Sequence, residues 1–214
     1  TARAVFDIFA LVLTDLLSET MPAGVSRLSR RSYPSFQREF RQLVRDLGHE
    51  DIELWNGGRQ LDALCPTYLP APAIGVPVDR LEEGMQRSTV FALGSVIEGL
   101  RYGRLLLESP GWATVAACVT VMADAIAPGL MERSDDLPSL EDGLCARLAE
   151  RARRLPRRSK LQLEGFAQRG QLRAADFEAL AQEVQRTRRR AGLLACGDLG
   201  VALDVVTFAE PDRA

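Results

Sequence analysis

One apolar stretch, residues 88–104, constrains the fold of this chain more than any other. It has the sequence STVFALGSVIEGLRYGR and repeats its apolar side chains at intervals of three and four residues, which is typical of a helix with a wide apolar face. Such a helix is normally buried, so we expect it at the centre of the core with the rest of the chain built around it. The apolar or small residues of this face are Val90, Phe91, Leu93, Gly94, Ile97 and Leu100.

Length and composition allow a sizeable core and favour no class of charged partner. The chain has 214 residues, 46% of them hydrophobic, enough for one large domain or two small ones. A formal net charge of −2 gives no overall attraction to nucleic acid or to an anionic membrane. The longest uncharged run, residues 109–123, is too short for a membrane span, and Asp7 interrupts the first apolar stretch, which argues against a signal peptide. The chain begins at Thr1 without a methionine, as a fragment of a longer protein would.

The thiols and the single histidine limit the metal chemistry of the chain. Cys65, Cys118, Cys145 and Cys196 include no C-x-x-C pair and His49 is the only histidine, which argues against a zinc site of the usual type. Cys118 and Cys196 lie in apolar stretches, where we expect buried free thiols rather than a disulfide. Free thiols fit a reducing compartment, so the sequence predicts a cytoplasmic protein. We also expect no cofactor.

Two amphipathic helices precede the first strands. Residues 2–17 place apolar side chains on one helical face and end before a Met-Pro pair and a glycine. Residues 35–47 form a second helix, with Pro34 in its first turn and Gly48 after its end, where these residue types are favoured. We expect the first helix, within residues 1–25, either to close the domain or to be the last helix of a preceding region.

The clearest strand signals follow these helices. Residues 52–55 alternate in side-chain polarity, as a strand does, and are followed by Asn-Gly-Gly at 56–58. This pattern predicts a β-hairpin whose returning strand lies within residues 61–69. Residues 73–78 form a short apolar strand, and Asp79 after it is expected to cap a helical turn. The sequence therefore predicts a small sheet or hairpin packed on the central helix.

The second half of the chain is predicted to be helical. The expected helices cover residues 112–126, 140–155, 159–168, 173–194 and 198–208. We therefore predict an α+β fold that is mainly α-helical, with a helical C-terminal half. In this prediction residues 26–214 form a single domain.

The order of helix, hairpin, strand, capped turn and core helix is similar to that of a known family. The stretches concerned are residues 46–48 (DLG), 52–55 (IELW), 72–76 (PAIGV), 79–81 (DRL) and 89–93 (TVFAL). Together they resemble the core of HtpX-type gluzincin zinc peptidases, which implies a zincin-like layout.

A second part of the resemblance lies in residues 190–194 (RAGLL), within a helix where the family has E-x-x-A-D shortly before similar residues. The resemblance extends over about residues 36–206. It points to a degenerate branch found C-terminally in tetratricopeptide-type proteins of myxobacteria.

The residues that carry out the family's chemistry are replaced in this chain. The resemblance places the two histidines of H-E-x-x-H on Leu93 and Ile97, and the general-base glutamate on Gly94. The third zinc ligand falls near Gln185 and the supporting aspartate near Arg189. Leucine and isoleucine cannot bind zinc, so the resemblance implies a pseudoenzyme with a vestigial cleft.

Two other constellations keep alternative functions open. Glu98 and Asp124 lie on apolar helices and would form an acid–base pair if burial separated their pKa values, although an amphipathic helix also carries such residues. The basic runs of residues 151–160 and 186–190 would suit a phosphate backbone or an acidic partner. They lack interleaved aromatic residues, so solvated helix ends are the simpler interpretation and nucleic acid is disfavoured.

Three aromatic residues, Trp55, Tyr68 and Trp112, are either interface anchors or part of the core. Our prediction from the sequence is a non-catalytic protein-interaction or regulatory domain. Its expected partner is another protein or another region of a longer parent chain, and we expect no membrane association.

Overall fold

The chain folds mainly into helices with a small sheet. The structure is a computed structural model that describes residues 1–18, 21–49, 52–68 and 71–209. Helices make up 63% of it, and its strands form a four-stranded mixed sheet. The predicted fold class, α+β and mainly α-helical, is therefore confirmed.

The chain divides into two compact units. The helical unit comprises Thr1–Ser18 and Tyr102–Val184, and the mixed unit comprises Glu19–Arg101 and Gln185–Ala214. Each unit is thus built from two segments that are distant in sequence. The predicted single domain of residues 26–214 stays a prediction.

The helical unit is organised around its most apolar helix. Its elements are α1 (Ala2–Leu17), a 3₁₀ segment within Arg101–Leu107, α5 (Trp112–Ile126), α6 (Asp142–Arg153), α7 (Arg157–Ala167) and the beginning of α8 (Ala174–Cys196). α5 packs against α1, α6 and α7. From α1, Phe6, Phe9 and Leu13 are at most 1% exposed, because residues three and four apart share one helical face.

The mixed unit places its sheet and its outer helices around one core helix. Its elements are β1 (Ser26–Arg27), α2 (Pro34–Asp46), β2 (Glu53–Asn56), β3 (Cys65–Thr67), β4 (Ala73–Val76), α3 (Val78–Glu83), α4 (Arg87–Leu100), the end of α8 and α9 (Leu199–Ala209). α4 contacts α2, β3 and α9. It therefore has the central position that its apolar pattern predicts.

The sheet has the strand order β1-β2-β4-β3. β2 and β4 run parallel, with Leu54 opposite Ile74, whereas β1 and β3 are antiparallel to their neighbours. Every residue of β4 is buried. A continuous apolar run is what an inner strand with both faces covered requires, since neither face meets water.

The predicted hairpin between β2 and the strand after it is wrong. β3 pairs with β4 rather than with β2, and it covers only part of the predicted residues 61–69, of which Leu69 lies outside the described residues. The Asn56 side chain accepts a hydrogen bond from the Gly58 amide at 2.8 Å, and the Gly57 amide donates to the Val76 carbonyl at 2.8 Å. The turn therefore continues the pairing of β2 with β4. With β1 on its other edge, β2 has no edge left for β3.

The beginning of α3 and the end of α4 also differ from the prediction. α3 begins at Val78 with Pro77 at its N-cap, so Asp79 lies in the first turn and does not cap it. α4 ends at Leu100, before the predicted end at Arg104. Arg101 has an extended backbone, and Tyr102 and Gly103 after it have φ angles of 54° and 71° in the left-handed region, so the helix does not continue.

Candidate functional site

The middle of α4 holds the positions at which the gluzincin resemblance would place zinc ligands and a general base. Leu93 and Ile97 have no exposed surface, and Gly94 is buried on the same side of the helix. Gln185, the position of the third ligand, is half-buried on α8. All four residues belong to the mixed unit.

α4 and α8 cross in close backbone contact at this point. A Cβ on Gly94 would lie 2.7 Å from the Ala195 Cβ and 3.2 Å from the Ala191 carbonyl oxygen. A Cβ on Gly192 would lie 2.6 Å from the Phe91 carbonyl oxygen. These distances are shorter than van der Waals contact, so the crossing has no room for a larger side chain or a metal ion between the two helices.

A side-chain hydrogen bond also links the two helices at this crossing. The Arg188 Nε donates to the Ser95 carbonyl oxygen at 3.1 Å. A sequence signal for this crossing exists, because a glycine inside a helix costs about 1 kcal/mol relative to alanine and is retained where backbones approach closely.

A polar cluster lies at the end of α4. Glu98 Oε2 is 3.2 Å from Arg101 Nε and 3.9 Å from His49 Nε2, and all three side chains are at least two-thirds buried. Arg101 also donates from Nη2 to the Leu47 carbonyl oxygen at 2.7 Å. Glu98 therefore pairs with Arg101. Asp124, the other carboxylate of the alternative acid–base pair, lies in the helical unit and pairs with Arg133 at 3.7 Å.

Asp198 links the beginning of α4 to that of α9. Its Oδ1 accepts a hydrogen bond from the Val201 amide at 3.1 Å, as an N-cap does, and its Oδ2 pairs with Arg87. The pKa of Asp198 is lowered below its usual value. The hydrogen bond from Val201 is the largest cause, and the interaction with Arg87 is the next largest. Since it is already satisfied by these partners, Asp198 acts as a helix cap.

The three aromatic residues predicted as interface anchors or core are half-buried. The Tyr68 hydroxyl donates to the Gly99 carbonyl oxygen at 3.1 Å and so ties the end of β3 to α4. Trp55 Nε1 donates to Glu53 Oε2 at 3.0 Å. Trp112 is the first residue of α5 in the helical unit. The interface role of all three stays a prediction.

The large apolar side chains that are well exposed lie elsewhere, at positions that no sequence pattern above indicated. Part of the signal was available in α9, which has a single charged residue, Asp204, and therefore more apolar side chains than one buried face can hold. Among the described residues, the large apolar side chains that are exposed are those of Leu11, Tyr102, Leu161, Leu194, Leu199 and Leu203.

One groove lies on the outer face of α7 and has a volume of about 690 Å³. Its apolar floor is bordered by guanidinium groups, and we call it the α7 groove. The lining residues are Arg157, Arg158, Leu161, Gln162, Gly165, Phe166 and Arg169.

A second cleft, also of about 690 Å³, lies in the mixed unit at the carboxyl ends of β2 and β4. Charged residues of both signs, such as Asp62, Arg80 and Glu83, line it. A third, of about 310 Å³, lies in the helical unit and includes Cys145. The pKa of the Cys118 thiol is raised to about 12, mainly by burial and to a smaller extent by the nearby Cys145. Cys118 is therefore uncharged at neutral pH.

The predicted basic runs are only partly used inside the fold. Arg151 pairs with Asp15 at 2.9 Å, Arg154 pairs with Glu150, and Lys160 donates to the Arg153 carbonyl oxygen. Within the described ranges, by contrast, no carboxylate lies within 4.0 Å of the guanidinium groups that border the α7 groove. These groups are available to an external partner.

The described residues form neither a metal-binding cluster nor a single membrane-spanning helix. No group of three or more His, Cys, Asp or Glu residues among them is arranged to hold a metal ion. In the same residues no single helix has the length and apolar character to cross a membrane. Arg87–Leu107 and Trp112–Ile126 meet that test only when counted together across their break.

Comparison of the chain with family models, curated proteins and solved structures finds no match. The resemblance to gluzincin peptidases therefore stays a prediction.

Proposed function

We propose that this chain is a non-catalytic protein-interaction or regulatory domain on a scaffold that resembles a degenerate gluzincin peptidase. The observation that carries the proposal is the close crossing of α4 and α8. At the position where a gluzincin needs its general base, Gly94 faces Ala195 with no room for a carboxylate side chain. Leu93 and Ile97 at the histidine positions have no lone pair to offer a metal.

The polar groups near this crossing also support a structural role. Glu98 is paired with Arg101, and Arg101 is held in turn by the Leu47 carbonyl oxygen. Glu98 and Arg101 are thus engaged with each other and with the backbone inside the fold. We also propose a cytoplasmic location, since the cysteines, all free thiols in the structure, fit a reducing compartment.

The experiment combines metal analysis, hydrolysis and binding on one preparation. The protein is expressed in zinc-supplemented medium, its zinc is measured per chain, and hydrolysis of unfolded casein is followed by mass spectrometry. We expect substoichiometric zinc and no cleavage. One zinc per chain together with cleavage would overturn the proposal, and cleavage lost in Glu98→Gln would favour the carboxylate-enzyme alternative.

The positive part of the test is saturable binding of a partner. Tagged protein captures partners from an extract of the cell that makes it, with excess untagged protein as competitor. A partner that is competed away and is not degraded supports an interaction domain. If nothing is competed away and a metabolite copurifies in stoichiometric amount, the interaction function is wrong.

A further inference from the structure

The α7 groove combines a net positive charge with an apolar floor. Residues 151–169 contain seven basic residues and one acidic residue, Glu164, although the whole chain has a net charge of −2. The rest of the chain is therefore acidic, and the positive charge is concentrated on the segment that contains α7. Arg157, Arg158 and Arg169 are exposed and border the groove.

The floor of the groove is a depression between two apolar side chains. Leu161 is 56% exposed, and Phe166 is half-buried with the Arg169 guanidinium 5.6 Å from its ring centre. Between them, Gly165 has no side chain, and a Cβ at this position would meet nothing within 4 Å. The depression is thus open to an apolar group of a partner, and the arginines at its border would face the groups beside that anchor.

These features fit one kind of occupant. α7 has 11 residues, a length of about 16 Å, which matches about three turns of a partner helix. An amphipathic helix with one or two apolar anchors would fill the depression, and flanking glutamates or aspartates would pair with the arginines. A nucleic acid would pair with the arginines but not with the rest of the groove. Its phosphates make no favourable contact with an exposed leucine or with an apolar depression.

We infer that the α7 groove binds an acidic amphipathic helix through apolar anchors at Gly165 and carboxylates at the bordering arginines. The inference deepens the proposed interaction function and rests on it. The groove would supply the binding surface, and the partner class is a helix with a short apolar stripe and a negatively charged border.

The test uses a defined probe and the whole chain. The probe is a fluorescent helical peptide with leucines at i, i+4 and i+7 and glutamates beside them, and binding is measured by anisotropy at two salt concentrations. Control ligands are the same residues in scrambled order, a polyglutamate and a single-stranded oligonucleotide of equal charge. We expect the amphipathic peptide to bind at least about tenfold more tightly than the scrambled one, because only it can place apolar side chains in the depression.

The variants separate the apolar part of the site from its charge. Gly165→Leu fills the depression and is expected to weaken binding by about tenfold, and Arg158→Glu by several-fold, with a smaller salt dependence. Gly143→Leu is the matched control for the first change, since a Cβ on Gly143 also meets nothing within 4 Å. Arg38→Glu on α2 is the control for the second, and both controls should bind as the unchanged protein does.

The outcomes distinguish this inference from the proposed function. An intact, bound peptide with loss of binding in Gly165→Leu supports both. A peptide that binds in the groove and is then cleaved overturns the non-catalytic function and leaves the groove assignment in place. Equal binding of the scrambled peptide, tighter binding of the oligonucleotide, or full binding by Gly165→Leu overturns the groove assignment alone.

Discussion

Replacement of Gly94 by alanine tests the crossing on which the proposed function rests. The added Cβ would lie 2.7 Å from the Ala195 Cβ and 3.2 Å from the Ala191 carbonyl oxygen. Carbon atoms prefer a separation of about 3.5–4.0 Å, so α4 and α8 would have to move apart by up to about 1 Å. Neither neighbouring atom can turn away, since one is bonded directly to the backbone and the other belongs to it.

The expected loss of stability is the difference between two effects of Gly94→Ala. Overpacking of a closely packed contact costs about 1–3 kcal/mol, and rigid neighbours favour the upper half of this range. Alanine is preferred to glycine inside a helix by about 1 kcal/mol. We therefore expect a net decrease in the free energy of unfolding of about 1–2 kcal/mol.

The assay is urea denaturation, in which the fluorescence of a tryptophan in the mixed unit monitors unfolding. The chain has two tryptophans, so a Trp112→Phe background leaves Trp55 of β2 as the reporter. The midpoint should fall at unchanged m-value. Gly143→Ala in α6 is the matched control, because its Cβ meets nothing within 4 Å and should give no loss, or a gain of up to about 1 kcal/mol.

A double-mutant cycle sharpens this test. In Gly94→Ala combined with Ala195→Gly the 2.7 Å contact no longer exists, so the two changes should couple by about 1 kcal/mol or more. If Gly94→Ala instead stabilises the protein as the Gly143 control does, the helices are not in close contact. Space for a cleft would then remain, and the main support for a non-catalytic function would be lost.

Three further predictions concern the ionisable groups. Glu98→Gln leaves the partly buried Arg101 without its charge partner and should cost about 1–3 kcal/mol, whereas Glu150→Gln in an exposed pair should cost no more than about 0.5 kcal/mol; equal urea midpoints for the two variants would contradict this. The lowered pKa of Asp198 means that the folded state gains stability above the unfolded pKa of about 3.9 and loses it as the pH falls through the folded value. Asp198→Asn, which keeps a capping oxygen, should therefore flatten the decrease in stability between about pH 5 and pH 3, and an unchanged pH profile would refute the assignment. Cys118, with its pKa raised to about 12, should resist iodoacetamide at pH 8 until the chain is unfolded, as peptide mass spectrometry would show; rapid native alkylation at Cys118 would contradict its burial.

The helices could be predicted because their signals are local. The predicted ranges 2–17 and 112–126 coincide with α1 and α5. In both cases an apolar face repeats with the helical period and a breaker follows the last turn, so neighbouring residues alone define the element. The burial of Leu93 and Ile97 follows from the same pattern.

The strand partners could not be predicted in the same way. Asn56 and the two glycines after it are a strong local hairpin signal, yet the parallel pairing of β2 with β4 depends on residues about 20 positions further along the chain. A turn motif shows that the chain changes direction and does not identify the strand to which it returns. The end of α4 was missed for a related reason, because Tyr102 has a left-handed φ angle that a tyrosine seldom adopts.

In the α7 groove as well, the local sequence predicts the helix, but only tertiary packing determines which of its side chains are exposed. Leu161 and Leu163 lie about 200° apart around α7, so only one of them can face the core. Leu163 is fully buried and Leu161 is exposed, and α7 packs against α5. The packing of α7 therefore decides which leucine remains for a partner, a choice that the spacing of the two residues leaves open. Leu161 therefore contributes little buried surface to the fold. A single exposed leucine is common on protein surfaces, so the proposed binding depends on its combination with Phe166 and the bordering arginines.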